Sequence, residues 1–244
     1  KTLFGSVRDD IIFVEEIIGV GEIAIADRRA PEPELQTFAT AIVDAYVAGM
    51  LSNKAGIAHI HAGDGKRGLQ IIRDLFERHE IIPASIHVTH IERSKRLVAE
   101  AVEIAKRGCY VDFDIHDRDL AVWYKVYRDM DGPLSQLTAT SDAGILPSCE
   151  LWDQVRDCVL NHKINLSEIL QCVTSNPARA LKFNSKRGLG AGKDADIFVF
   201  DEKDLKAKHV MSRGKVFMKN QKISFSDRPD CSRRGFDTYG VLES

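Results

Sequence analysis

The stretch that decides the fold runs through GIAHIHAGDGK (56–66), LQIIRDLF (69–76) and IHVTH (86–90). Gly56–His61 is a short apolar run bounded by glycines, too brief for a buried helix, and it reads as a strand. Leu69, Ile72, Leu75 and Phe76 then recur at helical spacing, and Ile86–His90 returns to the texture of a strand. A strand, a helix and a second strand in so little chain form a βαβ unit, and such a connection pairs its strands in parallel.

The same alternation extends in both directions. Upstream, Ile17–Ile23 (IIGVGEI) reads as a strand. A proline-bounded helix start follows at Pro31-Glu32-Pro33-Glu34, with an apolar stripe through Ile42, Val43, Tyr46, Val47, Met50 and Leu51. Downstream, Leu97, Val98, Val102, Ile104 and Ala105 lie on one helix, and Cys109–Phe113 and Gln136–Ser141 complete a set of five strands. Helices are expected over Pro147–His162 and Leu166–Leu181, the second capped around Asn165, Ser167 and Glu168. Strand and helix alternate every 25–35 residues or so, which is the pattern of an α/β protein with a parallel sheet covered on both faces. In such sheets chemistry gathers at the C-terminal ends of the strands.

After about Leu181 the texture changes. Gly188, Gly190 and Gly192 lead into Asp196–Asp201, and His209–Ile223 is broken by turns at Arg213-Gly214 and near Asn220. Short antiparallel strands are expected there, followed by a loosely held tail over Ser224–Ser244.

Composition narrows the function. The chain has 244 residues, with 34 Lys plus Arg against 36 Asp plus Glu. That balance argues against a nucleic-acid partner, which would require clustered positive charge. No apolar run reaches the length of a membrane span, and no signal-peptide pattern opens the chain, so a cytoplasmic protein is expected. Cys109, Cys149, Cys158, Cys172 and Cys231 form no C-x-x-C pair, and reduced thiols are expected rather than a disulfide framework.

Four strands end in side chains that bind metals well: Glu22, His61, His90 and Asp142, in GVGEI, AHIHAGD, VTHIER and TATSDAG. Two imidazoles and two carboxylates suit a divalent transition metal. Taken singly, each has a plainer explanation. A strand-end histidine is often structural, Glu22 could cap a helix, and Asp142 before Ala143-Gly144 could belong to a turn. His59 and His61 also form an H-x-H pair on one strand face, a second way to build a site. Arg29 and Arg93 lie close to the strand ends and suit a substrate carboxylate; surface ion pairs are the alternative, and the expected fate of Arg28.

IIGVGEIAIADRR, IHAGDGK, VTHIERS and TATSDAG together resemble the isoaspartyl dipeptidases of the amidohydrolase superfamily. So does the 29-residue step from His61 to His90. Ser175-Asn176-Pro177-Ala178-Arg179, followed by Gly188–Asp196, resembles the ending common to that superfamily. The resemblance implies a (β/α)8 TIM-type barrel, two zinc ions, a small β domain and cleavage of the isopeptide bond of β-aspartyl dipeptides. It implies that His61 and His90 bind one ion, that Glu22 bridges both, that Asp142 is ligand and proton shuttle, and that Arg29 and Arg93 hold substrate carboxylates. On this basis residues 1–183 are a barrel portion, 184–223 part of the β domain and 224–244 a tail. The expected partners are a small dipeptide substrate and further copies of the chain, with neither nucleic acid nor membrane.

The chain departs from the family in three ways. A carboxylated lysine commonly stands where this chain has Glu22, and the loop after Asp142 is short, leaving Ser148 as a guess for the substrate-amine contact. No H-x-H strand precedes Glu22, and the chain opens at Lys1 rather than Met; the expectation is the C-terminal part of a longer enzyme, about the last five βα units. The competing expectations are a non-catalytic binding module built on this fold and a hydrolase of cyclic amides such as hydantoin or dihydroorotate.

Overall fold

The structure, a computed structural model, describes residues 2–115, 120–142 and 148–224. It divides into two units, Lys1–Gly188 and Leu189–Ser244.

In the first unit, helix α1 (Val7–Phe13) leads to β1 (Gly19–Ile25), α2 (Leu35–Ser52), β2 (Ile57–Ala62), α3 (Gln70–Arg78), β3 (Ile86–Thr89), α4 (Lys95–Lys106), β4 (Tyr110–Asp114), α5 (Leu120–Asp129) and β5 (Leu137–Thr140). Helices α6 (Ser148–Leu160), α7 (Leu166–Val173) and α8 (Ser175–Ala180) follow. The five strands form one sheet in the order β1-β2-β3-β4-β5, and every pairing is parallel. This is the wall of a TIM-type barrel read through consecutive βα units, as the alternation of strand and helix predicts.

Alternation sorts the strand residues onto two faces. Ile60, Val88, Val111, Phe113 and Ala139 point outward and pack with Phe38, Ile42, Leu75, Val98, Ile104 and Tyr127 of the helices in one buried cluster. Truncating such a side chain to alanine typically costs about 2–5 kcal/mol. The intervening positions point inward and are polar: His59 and His61 on β2, His87 and Thr89 on β3, Asp112 and Asp114 on β4, Thr138 and Thr140 on β5.

Strand β1 departs from this regularity. Val20 pairs with Ala58 but Ile23 pairs with Ile60, so β1 spends three steps where β2 spends two. The extra residue is a bulge, and it turns Gly21 and Glu22 together toward the inner face while Val20 and Ile23 stay packed on the helices. Only glycine fits at position 21, because a Cβ there would lie 2.6 Å from the His59 carbonyl oxygen.

The single helix expected over Leu166–Leu181 is two helices, broken at Thr174 (φ −131°, ψ −81°). Pro177 explains the break, since its ring would meet the carbonyl of residue 173 in a continuous helix. Asn176, fully buried, locks the new direction by donating to the carbonyls of Leu134 and Leu137, both at 2.8 Å. The expected cap is present: Asn165 Oδ1 accepts from the Ser167 amide at 2.9 Å.

The second unit is an antiparallel sheet of β6 (Ile197–Phe200), β7 (Ala207–Ser212), β8 (Lys215–Lys219) and β9 (Lys222–Ile223) in sequential order. Its hairpin turns fall at Arg213-Gly214 and Asn220-Gln221, all four residues with positive φ, as two-residue turns require.

Cys109, Cys158 and Cys172 are buried free thiols, and burial pushes each up to about 12. Pro147, Cys231, the side chains of Ser148 and Cys149, and the expected tail beyond Ser224 lie outside the described residues. Among the described residues no helix is long and apolar enough to cross a membrane.

Candidate metal centre

The four side chains expected at one mouth come from the middle of β1, the end of β2 and the residues just after β3 and β5, and the sheet brings them together around one cleft. Glu22 sits on the bulge, half exposed, with Oε2 3.1 Å from His61 Nδ1 and Oε1 3.6 Å from His90 Nε2. The two imidazole rings lie 4.3 Å apart between centroids. Glu22, His61 and His90 each offer a ligand atom within 4.8 Å of the others; His90, Asp114 and Asp142 form a second such group. His90 and Asp142 both take positive φ where the chain leaves the sheet, at 62° and 44°. A polar cleft of about 350 Å3 opens over Glu22, Asp27, Arg29, His61, His90 and Asp142.

Each histidine has a carboxylate behind it. His61 Nε2 lies 3.0 Å from Asp27 Oδ2, and His90 Nδ1 lies 3.3 Å from Asp114 Oδ2. Neither aspartate was expected from the sequence. Asp114 ends the run YVDFD in phase with Asp112, but reading the strand as Cys109–Phe113 stops one residue short of it. Asp27 stands inside the AIADRR segment, where the arginines draw attention first.

Arg29 is tied to Asp27, with its Nη2 2.7 Å from Oδ2 and its Nε 3.1 Å from Oδ1. The Arg29 side chain and amide hold the Asp27 carboxyl far below the usual carboxylate range. Arg93 reaches within 3.4 Å of His61 Nε2, so both arginines expected at the mouth border the same imidazole. Arg28, expected in a surface ion pair, forms one with Asp64. His59, the other half of the H-x-H pair, sits 4.0 Å from Glu22 Oε1.

Burial, and then the charge of His90, hold the His61 imidazole below its ordinary value. Burial also pulls on His90, but its hydrogen bond to Asp114 and the charges of Glu92 and Asp114 outweigh that pull and raise it. Loss of water around the half-buried Glu92 carboxyl pushes it up to about 7.

The donor set fits a divalent transition metal. His61 Nδ1 and His90 Nε2 turn toward a shared carboxylate while their other nitrogens turn toward separate ones, and imidazole with carboxylate suits zinc and its neighbours. Asp114 Oδ1 is buried and has no hydrogen-bond partner among the described residues.

Comparison with known proteins places the chain in a family. The beta-aspartyl dipeptidase of Fervidobacterium islandicum AW-1 is 33% identical, with a TM-score of 0.82 over 93% of this chain and 63% of its own. Its complex with the β-Asp-Leu dipeptide gives 31% identity and a TM-score of 0.84, over 93% of this chain and 65% of that one. The present chain therefore spans a little under two thirds of the length of these relatives. Atrazine chlorohydrolase TrzN of Arthrobacter aurescens shares the fold at 16% identity, with a TM-score of 0.51 over 81% of this chain and 50% of its own. The amidohydrolase family pattern matches residues 51–217, from the end of α2 to β8. With more than half of its residues matched in this way, and a parallel barrel wall carrying the cluster, the chain belongs to the amidohydrolase family.

Proposed function

We propose that this chain carries the metal centre of a hydrolase that cleaves the isopeptide bond of β-aspartyl dipeptides, and that the metal is zinc, two ions in the complete enzyme. The observation that carries the reading is the Glu22–His61–His90 cluster with Asp142 beside it, in a chain 31% identical to a dipeptidase solved with β-Asp-Leu.

His61 and His90 would hold one ion, Glu22 would bridge to the second, and Asp142 would be a further ligand. When bound, the metal supplies a Lewis acid for the scissile carbonyl and lowers the pKa of its water toward neutrality. Glutamate is a permanent carboxylate, so bridging by Glu22 needs no carbon dioxide. Asp142, in the cleft beside His90, accepts the proton of the attacking water on its carboxylate and returns it to the departing amine. Arg93 and Arg29 orient the substrate's carboxylates. Arg29 shares its charge with Asp27, which leaves Arg93 the stronger anchor.

The reading is tested with the protein that carries this chain, loaded with zinc and offered β-Asp-Leu, hydantoin and dihydroorotate. Hydrolysis of β-Asp-Leu that Asp142→Asn abolishes without a change in circular dichroism supports it. Opening of the cyclic amides with β-Asp-Leu untouched overturns the substrate, and metal binding without any hydrolysis makes the chain a binding module.

A further inference from the structure

We infer that Asp114 is a positioning residue that fixes the tautomer of His90. It holds the proton on Nδ1 and so leaves the Nε2 lone pair facing Glu22. The inference rests on the proposed metal site for its purpose, but its geometry is independent of any ion.

His90 is a buried imidazole with two different neighbours. Asp114 Oδ2 lies 3.3 Å from Nδ1, and Glu22 Oε1 lies 3.6 Å from Nε2. The Asp114 contact is the shorter of the two, and at 3.6 Å the Glu22 contact is beyond hydrogen-bond reach. A carboxylate accepts and cannot donate, so Nδ1 carries the hydrogen and Nε2 is left bare. The two partners also differ in environment. The Asp114 side chain is 6% exposed and that of Glu22 is 40%, so water competes for Glu22 and scarcely for Asp114. Asp114 has little room to turn away. Its backbone is held in β4, and its amide donates to Glu92 Oε2 at 3.2 Å. His90 is fixed as well, since it occupies the left-handed region at the end of β3 (φ 62°).

Alternation explains how β4 supplies this group. Asp112 and Asp114 share the inner face, but Asp112 lies deeper and is taken up by three threonine hydroxyls. Asp114, one step nearer the mouth, meets an imidazole instead. A partner of this kind behind a ligating histidine fixes ring orientation and raises ligand basicity, and its loss commonly weakens metal binding about 10–100-fold.

The first measurement needs no metal. Long-range 1H–15N spectra of the metal-free protein at about pH 8.5, roughly two units above the ordinary imidazole value, identify the protonated nitrogen of His90, its signals assigned by their loss in His90→Gln. The expected result is Nδ1–H in the wild type and a move toward Nε2–H in Asp114→Ala. Asp114→Asn, whose amide oxygen can still accept from Nδ1–H, is expected to retain the wild-type tautomer and serves as the variant that folds if the alanine does not. The second measurement is zinc affinity by competition with a chelator, expected to weaken about 10–100-fold in Asp114→Ala and less in Asp114→Asn. Nε2–H in the wild type overturns the inference, as does a tautomer indifferent to Asp114→Ala. An Asp114→Asn protein that loses one bound ion while keeping the tautomer also overturns it, because Asp114 is then itself a ligand. Absence of zinc binding in the wild type with Nδ1–H intact defeats the proposed function and leaves the tautomer assignment standing.

Discussion

His87 Nε2 lies 2.8 Å from Thr138 Oγ1, across the inner face of the sheet from β3 to β5. Thr138 in turn lies 2.6 Å from Asp112 Oδ1, and its one hydroxyl proton goes to that carboxylate. Nε2 must therefore donate, so whenever the ring is neutral its one hydrogen sits on Nε2. Burial, and then the charge of His59, lower its pKa to about 3.

That neutrality gives the fold a pH dependence. Below the unfolded value near 6.5 the unfolded chain binds a proton that native His87 refuses, so the stability present above 6.5 is lost as pH falls toward the native value of about 3. The slope from this one group is about 1.4 kcal/mol per pH unit. His87→Gln keeps a donor for Thr138 but does not titrate. Urea unfolding from pH 7 to 4.5 or so should show the variant losing stability less steeply than the wild type by about that amount per unit. Parallel slopes would mean that His87 is protonated in the native state.

Asp112 is fully buried and accepts from Thr89 at 2.9 Å, Thr138 at 2.6 Å and Thr140 at 2.7 Å. Burial raises its pKa and the three hydroxyls oppose the rise. Asp112→Ala strands three hydroxyls at once, and a loss of about 3 kcal/mol or more in unfolding free energy is expected. Thr140→Val, which removes one donor, is expected to cost about 1 kcal/mol. Chemical denaturation of the two variants checks the ratio.

Glu22→Gln keeps the shape of the side chain on the bulge and removes the charge from between the two imidazoles. Zinc affinity measured by competition should fall at least about 100-fold, since an anionic donor becomes a neutral one. The rise in melting temperature on adding zinc to the wild type should shrink accordingly, because stabilisation follows the ratio of free ion to Kd.

The two arginines should behave differently. Arg29 is held by Asp27 and is 72% exposed, whereas no ion pair joins Arg93 to an acidic side chain among the described residues. With β-Asp-Leu, Arg93→Ala is expected to raise KM by about 10–100-fold, the loss of one charge-assisted hydrogen bond. Arg29→Ala is expected to raise it less and also to weaken zinc binding, since Asp27 then loses the partner that orients it behind His61.

Much of this is legible in the sequence alone. Five strands and the helices between them follow from apolar runs alternating with helical periods, because a parallel sheet covered on both faces leaves that trace in a sequence. Glu22, His61, His90 and Asp142 could be named because each reads as near the end of a strand, and parallel strands bring their ends to one edge, although Glu22 reaches that edge from the middle of β1, which spans Gly19–Ile25 rather than the expected Ile17–Ile23. The short α1 went unread, since seven residues give a helical period little room to show. Asp27 and Asp114 escaped because their meaning lies in which imidazole nitrogen they face, a relation between strands that no spacing along the chain records.

The bulge in β1 separates two things that usually travel together. Deleting Gly21 would return the strand to even pairing with β2, and the outward residues from Ile23 onward would still reach the helices. Glu22 would then stand in register with its neighbours rather than beside Gly21. A single-residue insertion or deletion at this one place can therefore re-aim an inward carboxylate while the sheet and its packing on the helices stay as they are.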